Sequence, residues 1–151
     1  MKKKKTHVIF LVEDDQVFSK TLELHLKEHL KHKIEILTFS SGEDCLKDLH
    51  LGPIVIVLDY YLNSKNPKAA NGMDILKKIK NIDPITEVIV LTREDNMNIA
   101  LEIMNNGAFN YIIKNDIVFK RFQNIINTVI HQKKVDDIFK DFEEEKELST
   151  E

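Results

Sequence analysis

"IVIVLD" (residues 54–59) is an apolar run that ends directly on Asp59, and two tyrosines follow it. A continuous apolar run of this length is typical of a β-strand that is covered on both faces of a sheet. A carboxylate at its end either belongs to a turn or is held in place by the strand for a chemical purpose. The residues that end the other predicted strands favour the second interpretation.

Short apolar runs alternate with helical patterns along the whole chain. Strands are predicted at residues 7–12, 34–39, 54–59, 87–92 and 109–114. Helices are predicted at residues 16–30, 40–49, 72–82 and 95–106, and from Ile117 to about Ile130 or beyond. Ser40 with Glu43 forms the capping-box pattern of the second helix. The alternation predicts an α/β fold with a five-stranded parallel sheet and helices on both faces.

The composition sets limits on the class of protein. A length of 151 residues predicts one domain, and 42% hydrophobic with 31% charged residues predicts a globular, soluble one. The longest apolar runs, about six residues, are far shorter than the ~20 needed to span a bilayer, so no membrane contact is expected. Cys45 is the sole cysteine, which fits a reducing, cytoplasmic setting. The net charge of −3 gives no general attraction to DNA.

Polar groups follow four of the predicted strands. They are Glu13 and Asp14 after the first, Asp59 at the third, Thr92 at the fourth and Lys114 after the fifth. Ligands of open α/β sheets bind at the carboxyl ends of the strands, so these groups are expected to meet. A hard divalent cation, Mg²⁺ or else Mn²⁺, would offset the repulsion between carboxylates and favour a phosphoryl ligand. Asp59 is then the candidate nucleophile, and Thr92 and Lys114 would hold phosphoryl oxygens.

In this order, these residues resemble the receiver domain of bacterial two-component response regulators. The resemblance rests on LVEDD (11–15), VLDYYL (57–62), NGMDILKKIK (71–80), VIVLT (88–92) and GAFNYIIK (107–114), and it covers residues 6–131. It implies a flavodoxin-like sheet with strand order 2-1-3-4-5, a metal-binding acid pair in Glu13 and Asp14, and phosphorylation of Asp59. It also implies that the backbone carbonyl of Tyr61 completes the metal shell and that Tyr111 is the switch aromatic.

Three features depart from the usual family sequence. Asn115 follows Lys114 where the family commonly has a proline after a cis peptide bond. A cis bond before a non-proline costs about 3 kcal/mol, so a trans bond and a somewhat different aim of Lys114 are expected. The loop after Asp59 is about five residues longer than usual. Arg93 replaces the usual small residue after Thr92, as a bulky cation that could hinder or attract the phosphate.

Two positions near the predicted site lie where the family tunes the lifetime of the phosphate. These are Tyr61, two residues after the predicted phosphoacceptor, and Glu94, two residues after Thr92. Together with Arg93 they are the rate-tuning candidates.

The last predicted helix carries two apolar stripes. The first is Phe122, Ile125, Ile126, Val129 and Ile130, and the second is Val135, Ile138, Phe139 and Phe142. At 3.6 residues per turn the stripes lie on roughly opposite sides of a continuous helix. We expect residues 6–131 to form the receiver and residues 132–151 a helical, acidic extension. The extension is predicted to continue the helix and to serve in a homodimer or in partner docking, although the charged chain ends are expected to be solvated and frayed.

Only 37 residues follow Lys114, which predicts a stand-alone receiver. Its partners would be a sensor histidine kinase or histidine phosphotransfer protein, and a downstream protein target. It would catalyse only its own phosphorylation and dephosphorylation, so it is not expected to be an enzyme in the ordinary sense. The alternative is a pseudo-receiver that acts as a phosphorylation-independent interaction or dimerisation module. A haloacid-dehalogenase-like phosphatase is disfavoured because it needs a second acid at the place of Tyr61.

Overall fold

In the computed structural model, which describes residues 5–63, 66–115 and 118–150, five strands form one sheet. The strands are β1 (His7–Val12), β2 (Ile34–Phe39), β3 (Val55–Asp59), β4 (Glu87–Thr92) and β5 (Asn110–Ile113). Their order is β2-β1-β3-β4-β5, and each neighbouring pair is parallel. The predicted fold class and strand order are therefore confirmed.

Helices cover both faces of this sheet. They are α1 (Gln16–His29), α2 (Gly42–Lys47), α3 (Gly72–Ile82), α4 (Met97–Asn105) and α5 (Val118–Ser149). One buried apolar cluster joins the sheet to α1 and α5, and a second joins it to α2, α3 and α4. Each of the five residues of β3 is buried, which explains why its sequence is a continuous apolar run.

The start of α2 differs from the predicted one. Its N-cap is Ser41 and not Ser40, because the Ser41 hydroxyl accepts a hydrogen bond from the Asp44 backbone N–H at 3.2 Å. Gly42, the first helical residue, lies so close to the Ile75 side chain that a Cβ would collide with it. The helix thus begins one residue later than the sequence pattern predicts, and its first residue packs against α3.

The boundaries of α4 also differ slightly. It begins at Met97, two residues later than predicted, because the Asn96 side chain caps it by accepting from two backbone N–H groups. Gly107 follows its end with a φ of 95°, a conformation that favours glycine. Ile117, the predicted start of the last helix, lies outside the described residues.

The helix α5 is continuous over 32 residues, which corresponds to about 48 Å. The predicted continuation past residues 132–134 is confirmed. Its acidic end is helical as far as Ser149, so the expectation that this end is frayed was wrong. Within the described residues, no helix has the length and apolar character needed to cross a membrane.

Candidate functional site

Three buried carboxylates meet at the carboxyl edge of the sheet. Glu13 and Asp14, which follow β1, are 5% and 8% exposed, and Asp59 at the end of β3 is fully buried. One oxygen atom from each lies within 4.8 Å of the others. The register explains this, because Val12 pairs with Leu58 and the two strands end side by side. The structure thus brings together the acids that the sequence placed at the strand ends.

The backbone after β3 holds the Asp59 carboxylate. Its Oδ1 accepts a hydrogen bond from the Tyr61 backbone N–H at 3.1 Å. The Gly72 N–H, at the start of α3, donates to the Tyr60 carbonyl at 2.9 Å. A Cβ on Gly72 would collide with the Asp59 carbonyl and lie 2.6 Å from the Tyr60 Cα. Glycine is therefore required where α3 approaches the end of β3.

The second oxygen of Asp59 has no such partner. Asp59 Oδ2 is buried and accepts no hydrogen bond from the described residues. A buried carboxylate oxygen without a partner is costly, and three neighbouring carboxylates add repulsion. A hard divalent cation that takes oxygen ligands would give Asp59 Oδ2 a partner and offset the repulsion between the carboxylates. The donor set therefore fits Mg²⁺ or Mn²⁺.

Lys114 reaches across the site from the end of β5. Its Nζ lies 2.9 Å from Glu13 Oε2 and 4.5 Å from the centroid of the Phe18 ring. The peptide bond between Lys114 and Asn115 is trans, as expected. Phe18 is not among the site residues that the sequence predicts. The available signal was an aromatic residue in the first helical turn directly after the acid cluster.

Glu13 is strongly perturbed by this environment. Burial raises its pKa from 4.5 to about 8, and the charge of Asp59 acts in the same direction. The Lys114 ammonium opposes the rise. Without a metal ion, the pKa of the Glu13 carboxyl therefore lies well above its usual range.

Thr92 lies on β4, the strand beside Asp59, and Tyr111 lies on β5, one strand further out. Thr92 ends β4, is 2% exposed, and its hydroxyl accepts from the Glu94 N–H at 3.2 Å. Since Asp59 pairs with Leu91, Thr92 lies one residue further along the adjacent strand. Tyr111 on β5 is half-buried and packs against the apolar cluster that joins the sheet to α2, α3 and α4.

The three rate-tuning candidates meet at the rim of the site. Burial and a hydrogen bond to the Glu94 carboxylate raise the pKa of Tyr61 to about 12, and the charge of Arg93 opposes this rise. Arg93 and Glu94 are exposed, and the Tyr60 ring packs edge-on against Tyr61 at 4.9 Å. The link between Tyr61 and Glu94 joins two loops, and no spacing in the sequence indicates it.

The family of the protein follows from comparison with known sequences. Residues 9–127, more than half of the chain, match the response regulator receiver domain family. The chain therefore belongs to the receiver domains of two-component response regulators, which are phosphoacceptor signalling modules rather than conventional enzymes.

Individual relatives agree with this assignment. The luminescence regulatory protein LuxO of Vibrio campbellii is 30% identical over 82 residues, which make up 54% of this chain and 17% of that protein. The signal receiver domain of a LuxO-type repressor from Vibrio parahaemolyticus has a TM-score of 0.77 at 22% identity, covering 89% of this chain and 98% of that one. The Mn²⁺-bound response regulator Rcp1 has a TM-score of 0.66 at 24% identity, covering 79% and 91%. At these identities the two structures show a shared fold.

Proposed function

We propose that the protein accepts a phosphoryl group on Asp59, in a reaction that depends on Mg²⁺ or Mn²⁺, from a sensor histidine kinase or histidine phosphotransfer protein. The observation that carries this proposal is the buried Asp59 carboxylate. It ends the central strand β3, has an unpartnered Oδ2, and lies within 4.8 Å of two further acids. Receiver domains of this family receive their phosphoryl groups from such donors.

Glu13, Asp14, Asp59 and the backbone carbonyl of Tyr61 would hold the cation. When bound, it would neutralise the carboxylates and the charge on the phosphoryl oxygens. The hydrogen bond from the Tyr61 N–H to Asp59 supports this assignment, since it keeps the Tyr61 backbone beside the acids.

In the transfer itself, an Asp59 carboxylate oxygen attacks the phosphorus of a phosphohistidine. The P–O bond to Asp59 forms as the P–N bond breaks, and the electron pair of that bond stays on the imidazole nitrogen, which takes up a proton. The Thr92 hydroxyl and the Lys114 ammonium bind the phosphoryl oxygens as donors. Lys114 would be free for this role with a cation in its place beside Glu13.

Phosphorylation then biases an equilibrium between inactive and active conformations. Thr92 moves toward the phosphoryl group and Tyr111 follows as the switch aromatic, which alters the surface that a downstream protein binds. Tyr61, Glu94 and Arg93 at the rim set the lifetime of the phosphate by controlling the access of water.

Incubation with acetyl phosphate and Mg²⁺, followed by intact mass measurement, tests the proposal. We expect a gain of about 80 Da, one phosphoryl group, that is lost on treatment with hydroxylamine and absent with EDTA. The Asp59→Asn variant should show no gain. An adduct that persists in this variant, or no adduct in the unaltered protein, would refute Asp59 as the phosphoacceptor. A pseudo-receiver predicts that the unaltered protein forms no adduct.

A further inference from the structure

The part of α5 beyond the sheet carries an exposed apolar face, which we call the outer stripe: Val135, Ile138, Phe139 and Phe142. Its last three residues are 68%, 65% and 63% exposed, and Val135 is half-buried. At 3.6 residues per turn, the outer stripe lies opposite the side of α5 that packs on the sheet through Phe122, Ile126, Val129 and Ile130. Exposed aromatic and aliphatic side chains grouped on one face mark an interaction surface.

Contacts at the base of the extension keep the outer stripe turned away from its own domain. Lys134 Nζ lies 3.2 Å from His32 Nδ1. Burial lowers the pKa of His7 on β1, and the charges of Lys134 and Asp137 also act on this side chain. One cavity is lined by His7 together with Gln132 and Asp136, so the helix stays beside the domain to about Asp136, while residues 138–150 are exposed. The outer stripe cannot reach the sheet of its own chain without breaking these contacts, so its partner is another molecule.

We infer that the outer stripe pairs with the outer stripe of a second copy of this chain, with the two α5 helices antiparallel. The stripe is centred between Ile138 and Phe139. An antiparallel pair about this centre places Val135 of one copy opposite Phe142 of the other. All four apolar residues of each copy are then covered by the same four residues of its partner, as a two-fold symmetric interface requires.

The charges along α5 select the antiparallel orientation. Residues 141–147 carry five acids and one lysine, whereas Lys133 and Lys134 precede the outer stripe. A parallel pair would place two acidic ends side by side, which is repulsive. Lys134 lies on the same flank of the outer stripe as Asp141 and Glu145, so the antiparallel pair instead places Lys134 of one copy beside Asp141 and Glu145 of the other. Opposite charges on the flanks of a helix pair specify its orientation.

The position of the receiver domains permits this arrangement. Each domain lies on the side of α5 that faces away from the outer stripe, so the two domains would occupy opposite ends and outer sides of the helix pair. The outer stripe contains no residue of the acid site. The pairing is therefore independent of Asp59 phosphorylation and goes beyond the proposed function.

Sedimentation of the full chain over a wide range of concentrations tests self-association. We expect a reversible dimer, which Phe139→Glu weakens by about tenfold or more because it brings two carboxylates together near the symmetry axis. Phe139→Ser should weaken it without adding charge. Leu148→Glu is the matched control, since Leu148 is 74% exposed on α5 away from the outer stripe, and its dimer should be unchanged. A protein that is monomeric at all concentrations, whether or not it binds some other protein, would overturn the inference.

The orientation is tested by oxidising an equal mixture of Val135→Cys and Phe142→Cys; the native Cys45 is buried. The antiparallel pair predicts a disulfide between the two different variants. Disulfides formed mainly within one variant would show a parallel pair and overturn the assigned orientation. The acetyl phosphate reaction is run on Phe139→Glu in parallel. If the unaltered chain stays monomeric and the phosphoryl adduct still forms normally, the pairing is refuted and the proposed function is not affected.

Discussion

Lys114 Nζ lies 2.9 Å from Glu13 Oε2, so the cation that follows β5 and an acid that follows β1 meet across the sheet edge. Glu13 is a predicted metal ligand and Lys114 a predicted phosphoryl-binding group. A metal ion bound by Glu13 would free Lys114, and a phosphoryl group bound by Lys114 would leave Glu13 to the metal. The two ligands are therefore expected to favour each other's binding.

Glu13 should make the metal-free protein less stable as pH rises. Its pKa in the folded state is about 8 against 4.5 ordinarily, so between these values the native state binds more protons than the unfolded state. Relative to Glu13→Gln, the free energy of unfolding of the unaltered protein should fall by roughly 1–3 kcal/mol between pH 4 and pH 9. Urea unfolding with EDTA across this range measures the difference. Parallel stability curves for the two proteins would contradict the predicted pKa.

Affinity for Mg²⁺ should rise with pH, because the Glu13 proton must leave before this carboxylate binds a cation. Between pH 6 and pH 8 we expect a rise of up to about tenfold per pH unit. Titration calorimetry measures it, and Glu13→Gln should bind weakly with a flat pH profile. Glu28→Gln, an exposed acid on α1, is the control and should follow the unaltered protein. Equal affinity at both pH values would exclude Glu13 from the metal shell.

Lys114→Gln should slow formation of the phosphoryl adduct by about tenfold or more, since it removes a preorganised cation from the buried site. The same change should raise the pKa of Glu13 further, because Lys114 opposes its rise. Lys78→Gln, on the exposed side of α3, is the matched control. The rate is followed by intact mass after adding acetyl phosphate. If both variants react like the unaltered protein, Lys114 has no part in the transfer.

Glu94→Gln should lower the pKa of Tyr61 from about 12, because it removes the carboxylate that holds the phenolic proton. Ultraviolet titration measures this ionisation, and Tyr61→Phe assigns it among the three tyrosines. Tyr61→Ala should shorten the phosphate lifetime several-fold, because it opens the rim to water. If the phosphate lifetime changes in Glu94→Gln but not in Tyr61→Ala, the charge of Glu94 sets the lifetime, and exclusion of water by the Tyr61 ring does not.

Gly72→Ala should destabilise the protein by roughly 2–3 kcal/mol, because the added Cβ meets the backbone of Asp59 and Tyr60. Gly52→Ala provides the comparison. Gly52 has a φ of 69° but open space around it, so the cost there is limited to roughly 1–2 kcal/mol of backbone strain. Thermal unfolding compares the two. An equal loss of stability in both variants would show that α3 and β3 shift apart to accommodate the added Cβ at little cost.

The sequence predicted the sheet and its acid cluster for one physical reason. Buried parallel strands have continuous apolar sequences, and their carboxyl ends lie along one edge of the sheet. The polar residues that end these runs, such as Asp59 in β3 and Thr92 in β4, could therefore be assigned to one place before any contact was known.

Contacts between elements were beyond the reach of such reasoning. Lys114 Nζ lies over the Phe18 ring, which itself packs against Phe119 at a centroid distance of 5.6 Å. This packing depends on how α1 lies against α5, and no local pattern encodes it. Ser40 and Ser41 are adjacent, and the local pattern likewise could not decide which of them caps α2.

The continuity of α5 fixes where the outer stripe lies. The helix begins close after Lys114, where the Val118 N–H donates to the Asn115 carbonyl at 3.2 Å, and its first half is buried against the sheet. Beyond the domain, residues 138–149 continue the same helix for about 18 Å. Because no break separates the two halves, the outer stripe is held at a set distance and direction from its domain, which a flexible linker would not provide.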